Sequence, residues 1–156
     1  MKCFTNILNK IIECCLIISL ALLSIIVTLQ VFSRYVFSIS LPWSTDIIRC
    51  LFIYLVFLGA IIGVRNQSHL NIDVLVKKFS KKLQKLLNIV INLIILIFLI
   101  IIVTAGLIFV FSSITQVTPY LRISISYYYL AIPLSATAMI YYLFFHLKDQ
   151  IKNFKK

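Results

Sequence analysis

Of the 156 residues in this chain, 62% are apolar and only 12% charged, and the mean hydropathy is +1.09, which excludes a water-facing globule and predicts an integral membrane protein. The length has room for about four helical spans of roughly 20 residues with short connections, so residues 1–156 are expected to form a single four-span membrane domain with no separate soluble part. A net charge of +11 in a soluble chain would raise nucleic acid as a partner; here the basic residues flank apolar runs, as topology signalling requires, and no nucleic-acid role is expected.

Between Lys10 and Arg34 the only charged residue is Glu13, which predicts a first span over about 11–33, more than a hydrocarbon core of about 30 Å needs. No cleavable signal peptide is expected, because this run is long enough to cross and lacks a small-residue cleavage site. Too few uncharged residues separate Arg49 from Arg65 to cross, so the second span is expected to start near Pro42 and Trp43 and to run over about 42–64. A proline suits that place, since the first turn of a helix has no backbone donor to lose. Asp46 and Arg49 then fall in the first turns, spaced i, i+3, which suits a structural ion pair. Near the other end of the span, Gly59, Ala60 and Gly63 put small residues on about one face, where another helix can approach closely.

Beyond Arg65 the periodicity changes. On a helix over about 72–85, Ile72, Leu75, Val76, Phe79 and Leu83, with Leu86 just beyond, share one face, and Lys77, Lys78, Lys81, Lys82 and Lys85 fill the other. This pattern predicts an amphipathic helix lying at the membrane interface, capped by Asn71 or Asp73, with its lysines drawn to anionic lipids at about 1 kcal/mol each. A third span is expected over about 86–114 and a fourth over about 125–146, with Tyr127, Tyr128 and Tyr129 at one end of the fourth and Tyr141 and Tyr142 at the other, as interfacial aromatics. Pro133, inside that span, cannot donate to the Tyr129 carbonyl and predicts a kink.

The fold class expected is therefore all-α integral membrane, with four transmembrane helices and an interfacial helix between the second and third. Twelve of the 15 basic residues lie on one side of such a chain, leaving only Arg34, Arg49 and Arg122 on the other. The positive-inside rule then places both termini in the cytoplasm.

Two other function classes are weighed on the same residues. Glu13 raises a small four-span proton-coupled multidrug exporter, but it lies only one helical turn past Lys10, where it can reach water or pair with that lysine. Cys3, Cys14, Cys15 and Cys50 raise a membrane thiol oxidoreductase, but they form no C-x-x-C pair, and Cys14 and Cys15 are adjacent and point to different faces. Neither a nucleophile with a pocket nor a metal-ligand spacing is present, so no catalytic residue, cofactor or metal is expected.

The residues that remain distinctive are "FSRYVF" (Phe32 to Phe37), "LPWSTDIIR" (Leu41 to Arg49), "FLGA" (Phe57 to Ala60), "GVRNQSHLNID" (Gly63 to Asp73) and "AIP" (Ala131 to Pro133). In these blocks, their order and the four-span pattern, the chain resembles the DctQ-type small membrane subunit of tripartite ATP-independent periplasmic (TRAP) transporters. Where that family usually shows two acidic residues after the tryptophan, Thr45-Asp46 supplies one. The resemblance implies a non-enzymatic subunit in the bacterial inner membrane. Its partners would be a large permease and a periplasmic binding protein, in an importer of small organic acids driven by an ion gradient, usually sodium. It also implies structural or interface roles for Arg34, Trp43, Asp46, Arg49 and Pro133, and a turn at Arg65, His69 and Asp73 that ties the second span to the interfacial helix.

Overall fold

The computed structural model describes residues 2–66 and 81–154, with side chains described for residues 7–66, 83, 87 and 89–148. Its helices are α1 (Lys2–Val36), α2 (Pro42–Arg65), α3 (Lys81–Ser112), a four-residue α4 (Ser126–Tyr129) and α5 (Ala131–Phe154). Four stretches are long and apolar enough to cross a membrane: Ile7–Val36, Pro42–Arg65, Ile89–Ser112 and Ser126–Lys148. At 1.5 Å per residue even the shortest is about 35 Å long, which covers a hydrocarbon core. The all-α fold with four transmembrane helices is thus observed. His69, Asp73, Lys77, Lys78 and most of the expected interfacial helix lie outside the described residues. Lys81, Lys82 and Lys85 fall within the first residues of α3, where only the backbone is described.

Local chemistry sets the breaks. The chain leaves α1 through Ser38, whose φ of 55° is in the left-handed region, while the Ser33 carbonyl accepts from the N–H groups of both Phe37 and Ile39 at 3.2 Å. That closure satisfies a helix-end carbonyl that would otherwise face lipid. Helix α2 opens at Pro42, and Ser44, fully buried two residues later, donates its hydroxyl to the Leu41 carbonyl at 2.6 Å.

The fourth span is interrupted at Leu130, three residues before Pro133. Leu130 keeps right-handed helical angles (φ −62°, ψ −26°), and its N–H still reaches the Ser126 carbonyl. Pro133 therefore occupies the first turn of α5, where a missing N–H costs nothing.

The described residues group into two packed units. One joins the chain up to Gly59 to Ile108–Ala131, and its interior is strongly polar: Ser44, Asp46, Ser113 and Thr118 are buried along with Ile12, Tyr128 and Ala131. The other joins Ala60–Leu107 to the chain from Ile132 onward. Ile61, Leu99, Ala136, Met139 and Leu143 make its interior chiefly apolar, with Asn92 and Ser135 as its buried polar residues. In this second unit α3 meets α5 at Gly106. A Cβ there would stand 3.1 Å from Ile132 Cγ2 and 3.1 Å from Pro133 Cδ, so the backbone approach requires glycine.

Candidate functional site

The polar interior of the first unit is built around the connection between α3 and α4. Its sides pair as a short hairpin: Val117 and Ser124 form an isolated antiparallel bridge, the Thr118 N–H donates to the Ile123 carbonyl at 2.8 Å, and the Ile125 N–H donates to the Gln116 carbonyl at 2.9 Å. At its tip Arg122 takes a φ of 52°, and the Thr118 hydroxyl oxygen accepts from the Ile123 N–H at 3.1 Å. The last carbonyls of α3 are also answered. Ser124 donates its hydroxyl to the carbonyls of Ser113 and Ile114, and Ser126 donates to that of Val110 at 3.0 Å. Two serines in "SSITQVTPYLRISIS", Ser124 and Ser126, thus supply polar partners at a membrane helix end, where few waters compete and an unmet backbone group is costly.

Asp46 locks this hairpin to α2. It is only 3% exposed, and its Oδ2 accepts from the backbone N–H groups of Tyr120 at 3.1 Å and Leu121 at 3.0 Å. The Thr118 hydroxyl also bonds the carboxylate. From the other side, the buried Tyr128 donates its phenolic hydroxyl to the Asp46 carbonyl at 3.0 Å, and Tyr54, two helical turns further along α2, donates to the Tyr127 carbonyl at 3.0 Å. One carboxylate and two phenols therefore fix α2, the hairpin and α4 to one another.

The expected Asp46–Arg49 ion pair is replaced by this arrangement: no salt bridge joins the two among the described residues. The physical reason is competition. Two turn N–H groups at the hairpin tip have no carbonyl to bond and need the carboxylate, whereas Arg49 is exposed and its charge acts on Asp46 only through space. Arg49 instead lines a small cavity of about 110 Å³ with Ile53, Thr118, Pro119, Ile125 and Tyr128. Of the tyrosine cluster, Tyr127 is exposed as an interfacial residue would be, while Tyr128 is a buried strut and Tyr129 packs its ring against Phe109 at a centroid distance of 5.8 Å.

Trp43 and Arg34 lie exposed in the same unit. In the second unit, Arg65 ends α2, its Nε bonding Asn66 Oδ1 at 3.2 Å and its carbonyl meeting His146 Nε2 at 3.2 Å. His146 was invisible to motif reading because its partner is a backbone carbonyl 81 residues away. Among the described residues Cys14, Cys15 and Cys50 are free thiols, and no cluster of His, Cys, Asp and Glu is placed to hold a metal ion.

Four helices long and apolar enough to cross a membrane make this a multi-pass membrane protein. A family profile described as the DctQ component of tripartite ATP-independent periplasmic transporters matches residues 23–153. The chain belongs to this family, and it is a small permease subunit of a TRAP transporter, a transporter component and not an enzyme.

Among relatives, a Haemophilus influenzae protein described as a TRAP transporter small permease is 40% identical over 78 residues, which is 50% of this chain and 48% of that protein. The stretch matched is thus about half of that relative's length. A second small permease protein of the same organism is 29% identical over 157 residues, spanning 99% of this chain and 93% of its own length. The sialic acid TRAP transporter permease protein SiaT of Haemophilus influenzae is 39% identical over 54 residues, covering 35% of this chain but 9% of that protein.

Proposed function

We propose that this subunit braces a large TRAP permease in the bilayer and contributes to the platform on which a substrate-loaded periplasmic binding protein docks, in an importer of small organic acids coupled to a sodium-ion gradient. Both termini are cytoplasmic in this reading, the hairpin end of the first unit faces the periplasm, and the lysines over about 72–85 rest on anionic lipids of the inner leaflet.

The observation that carries the reading is the condition of Asp46. It is a buried carboxylate in a membrane span, the sort of group that marks an ion or proton path, yet its Oδ2 is occupied by two backbone N–H groups of a structural hairpin. A carboxylate committed in this way braces and does not carry ions. Pairing with a larger permease is supported by SiaT, in which a stretch like part of this chain forms a small fraction of a much longer permease. SiaT is named for sialic acid, a carboxylated solute, which supports the organic-acid class. Arg65, His69 and Asp73 serve in this reading as the turn that pins the second span.

The test is reconstitution. Proteoliposomes holding this chain alone are expected to accumulate no organic acid under an inward sodium gradient, and uptake is expected to require the large permease and the binding protein together. Sodium-driven uptake by the chain alone would overturn the proposal.

A further inference from the structure

We infer that the cleft where α1 passes into α2 binds the phosphate of a phospholipid headgroup, with the Arg34 guanidinium as its principal contact. The cleft holds about 390 Å³ and is lined by Gln30, Arg34, Ser40, Leu41, Thr45 and Tyr120, room for a phosphodiester and its small alcohol. Its wall is shaped by the left-handed residue Ser38, which turns the chain back so that Ser40 faces the last turns of α1.

The chemistry of the lining selects an anion. The side chains of Gln30, Arg34, Ser40 and Thr45 make no hydrogen bond or ion pair with another described residue. All four can donate, and Arg34 carries a fixed positive charge whose forked N–H groups match phosphate oxygens. No carboxylate of this unit neutralises it. Asp46 is turned to the hairpin, where it holds the N–H groups of Tyr120 and Leu121, and Glu13 lies 21 residues earlier on the same helix, roughly 30 Å away.

Position selects a lipid over a water-borne anion. Arg34 is in the last turn of α1, two residues before the span ends at Val36, which is headgroup depth for a membrane-crossing helix. Its chain neighbours form an exposed apolar collar: Tyr35 is 82% exposed, and Phe37, Ile39 and Trp43 also face outward. A free phosphate gains nothing from that collar, while a phospholipid places its glycerol and upper acyl carbons against it and its phosphate in the cleft.

The full-length chain, purified in detergent, is titrated with dioleoylphosphatidylglycerol, dioleoylphosphatidylethanolamine or dioleoylglycerol, and bound lipid is counted by native mass spectrometry. Either phospholipid is expected to bind at one saturable site, and dioleoylglycerol, which lacks phosphate, is not. Arg34→Gln is expected to weaken phospholipid binding about ten-fold, the loss of one charge-assisted bidentate contact. Arg34→Lys is expected to restore part of it, and Arg122→Gln, a charge of the same unit outside the cleft, to leave it unchanged.

Size-exclusion profiles and far-ultraviolet circular dichroism confirm that each variant is folded, and Arg34→Lys serves if Arg34→Gln is not. Equal loss in Arg122→Gln, equal binding of dioleoylglycerol, or displacement of lipid by millimolar inorganic phosphate would each overturn the inference. So would an Arg34→Gln chain that keeps its lipid but no longer co-purifies with the large permease, which would assign the cleft to an acidic protein partner.

Discussion

The same substitution, glycine to alanine, should have opposite signs at two places in this protein. At Gly59 a new Cβ meets only Leu16 Cδ1, at 3.9 Å, an ordinary contact with the end of a flexible side chain. Alanine there removes the excess backbone freedom of glycine, worth about 0.5–1 kcal/mol in a helix, and should stabilise.

At Gly106 the Cβ meets Ile132 Cγ2 at 3.1 Å, Pro133 Cδ at 3.1 Å and the Pro133 backbone nitrogen at 3.4 Å. The proline ring is tied to the backbone at both ends, so it cannot rotate aside, and α3 and α5 must part by a few tenths of an ångström. Overpacking of this kind costs about 1–3 kcal/mol, which outweighs the same propensity gain. The propensity gain is common to both, so the two variants should differ by the overpacking cost, about 1–3 kcal/mol, or about 2–12 °C in apparent melting temperature for a chain of this size. Thermal denaturation of detergent-purified Gly59→Ala and Gly106→Ala, followed by fluorescence-detected size exclusion, measures the difference. Equal melting temperatures would refute the claim that the proline ring and the glycine backbone are in close contact.

Further outcomes follow from the hydrogen bonds. Tyr128→Phe removes one phenolic donor, but the Asp46 carbonyl it serves stays inside α2, so the loss is expected to be about 1 kcal/mol, read as a small drop in melting temperature. Asp46→Ala leaves the N–H groups of Tyr120 and Leu121 without their acceptor. Hydrogen exchange of the 117–124 segment should accelerate strongly in that variant and less in Asp46→Asn, which keeps one oxygen; unchanged protection in both would remove Asp46 from the role of latch. Arg65→Ala is expected to lower the amount of chain that co-purifies with the large permease while the ratio of uptake rates for two organic acids stays the same, since no solute contact is proposed there. A reporter fused after Lys156 is expected in the cytoplasm, and a periplasmic signal would reverse the proposed topology.

How legible each feature was in the sequence depends on which chemical group makes it. The spans are written in side-chain hydropathy, and the start of α2 is written in Pro42, whose ring fits only where no N–H is needed, so both could be placed from composition and a local rule. The role of Asp46 could not. Spacing of i, i+3 pointed to Arg49 because sequence patterns compare side chains with side chains. The actual partners are amide groups 74 and 75 residues away, and every residue except proline carries that same amide.

Pro133 shows the same division. Its missing N–H was readable, and the interruption at Leu130 follows from it, but the close packing against Gly106 depends on a second helix that no local rule could supply. His146 and Tyr128 were likewise hidden, because both meet main-chain carbonyls. In water many of these ties would be optional, since solvent can serve any exposed amide or carbonyl. At the end of a membrane span water is scarce, and the backbone groups that a turn leaves over recruit whichever acid, phenol or imidazole the fold brings near.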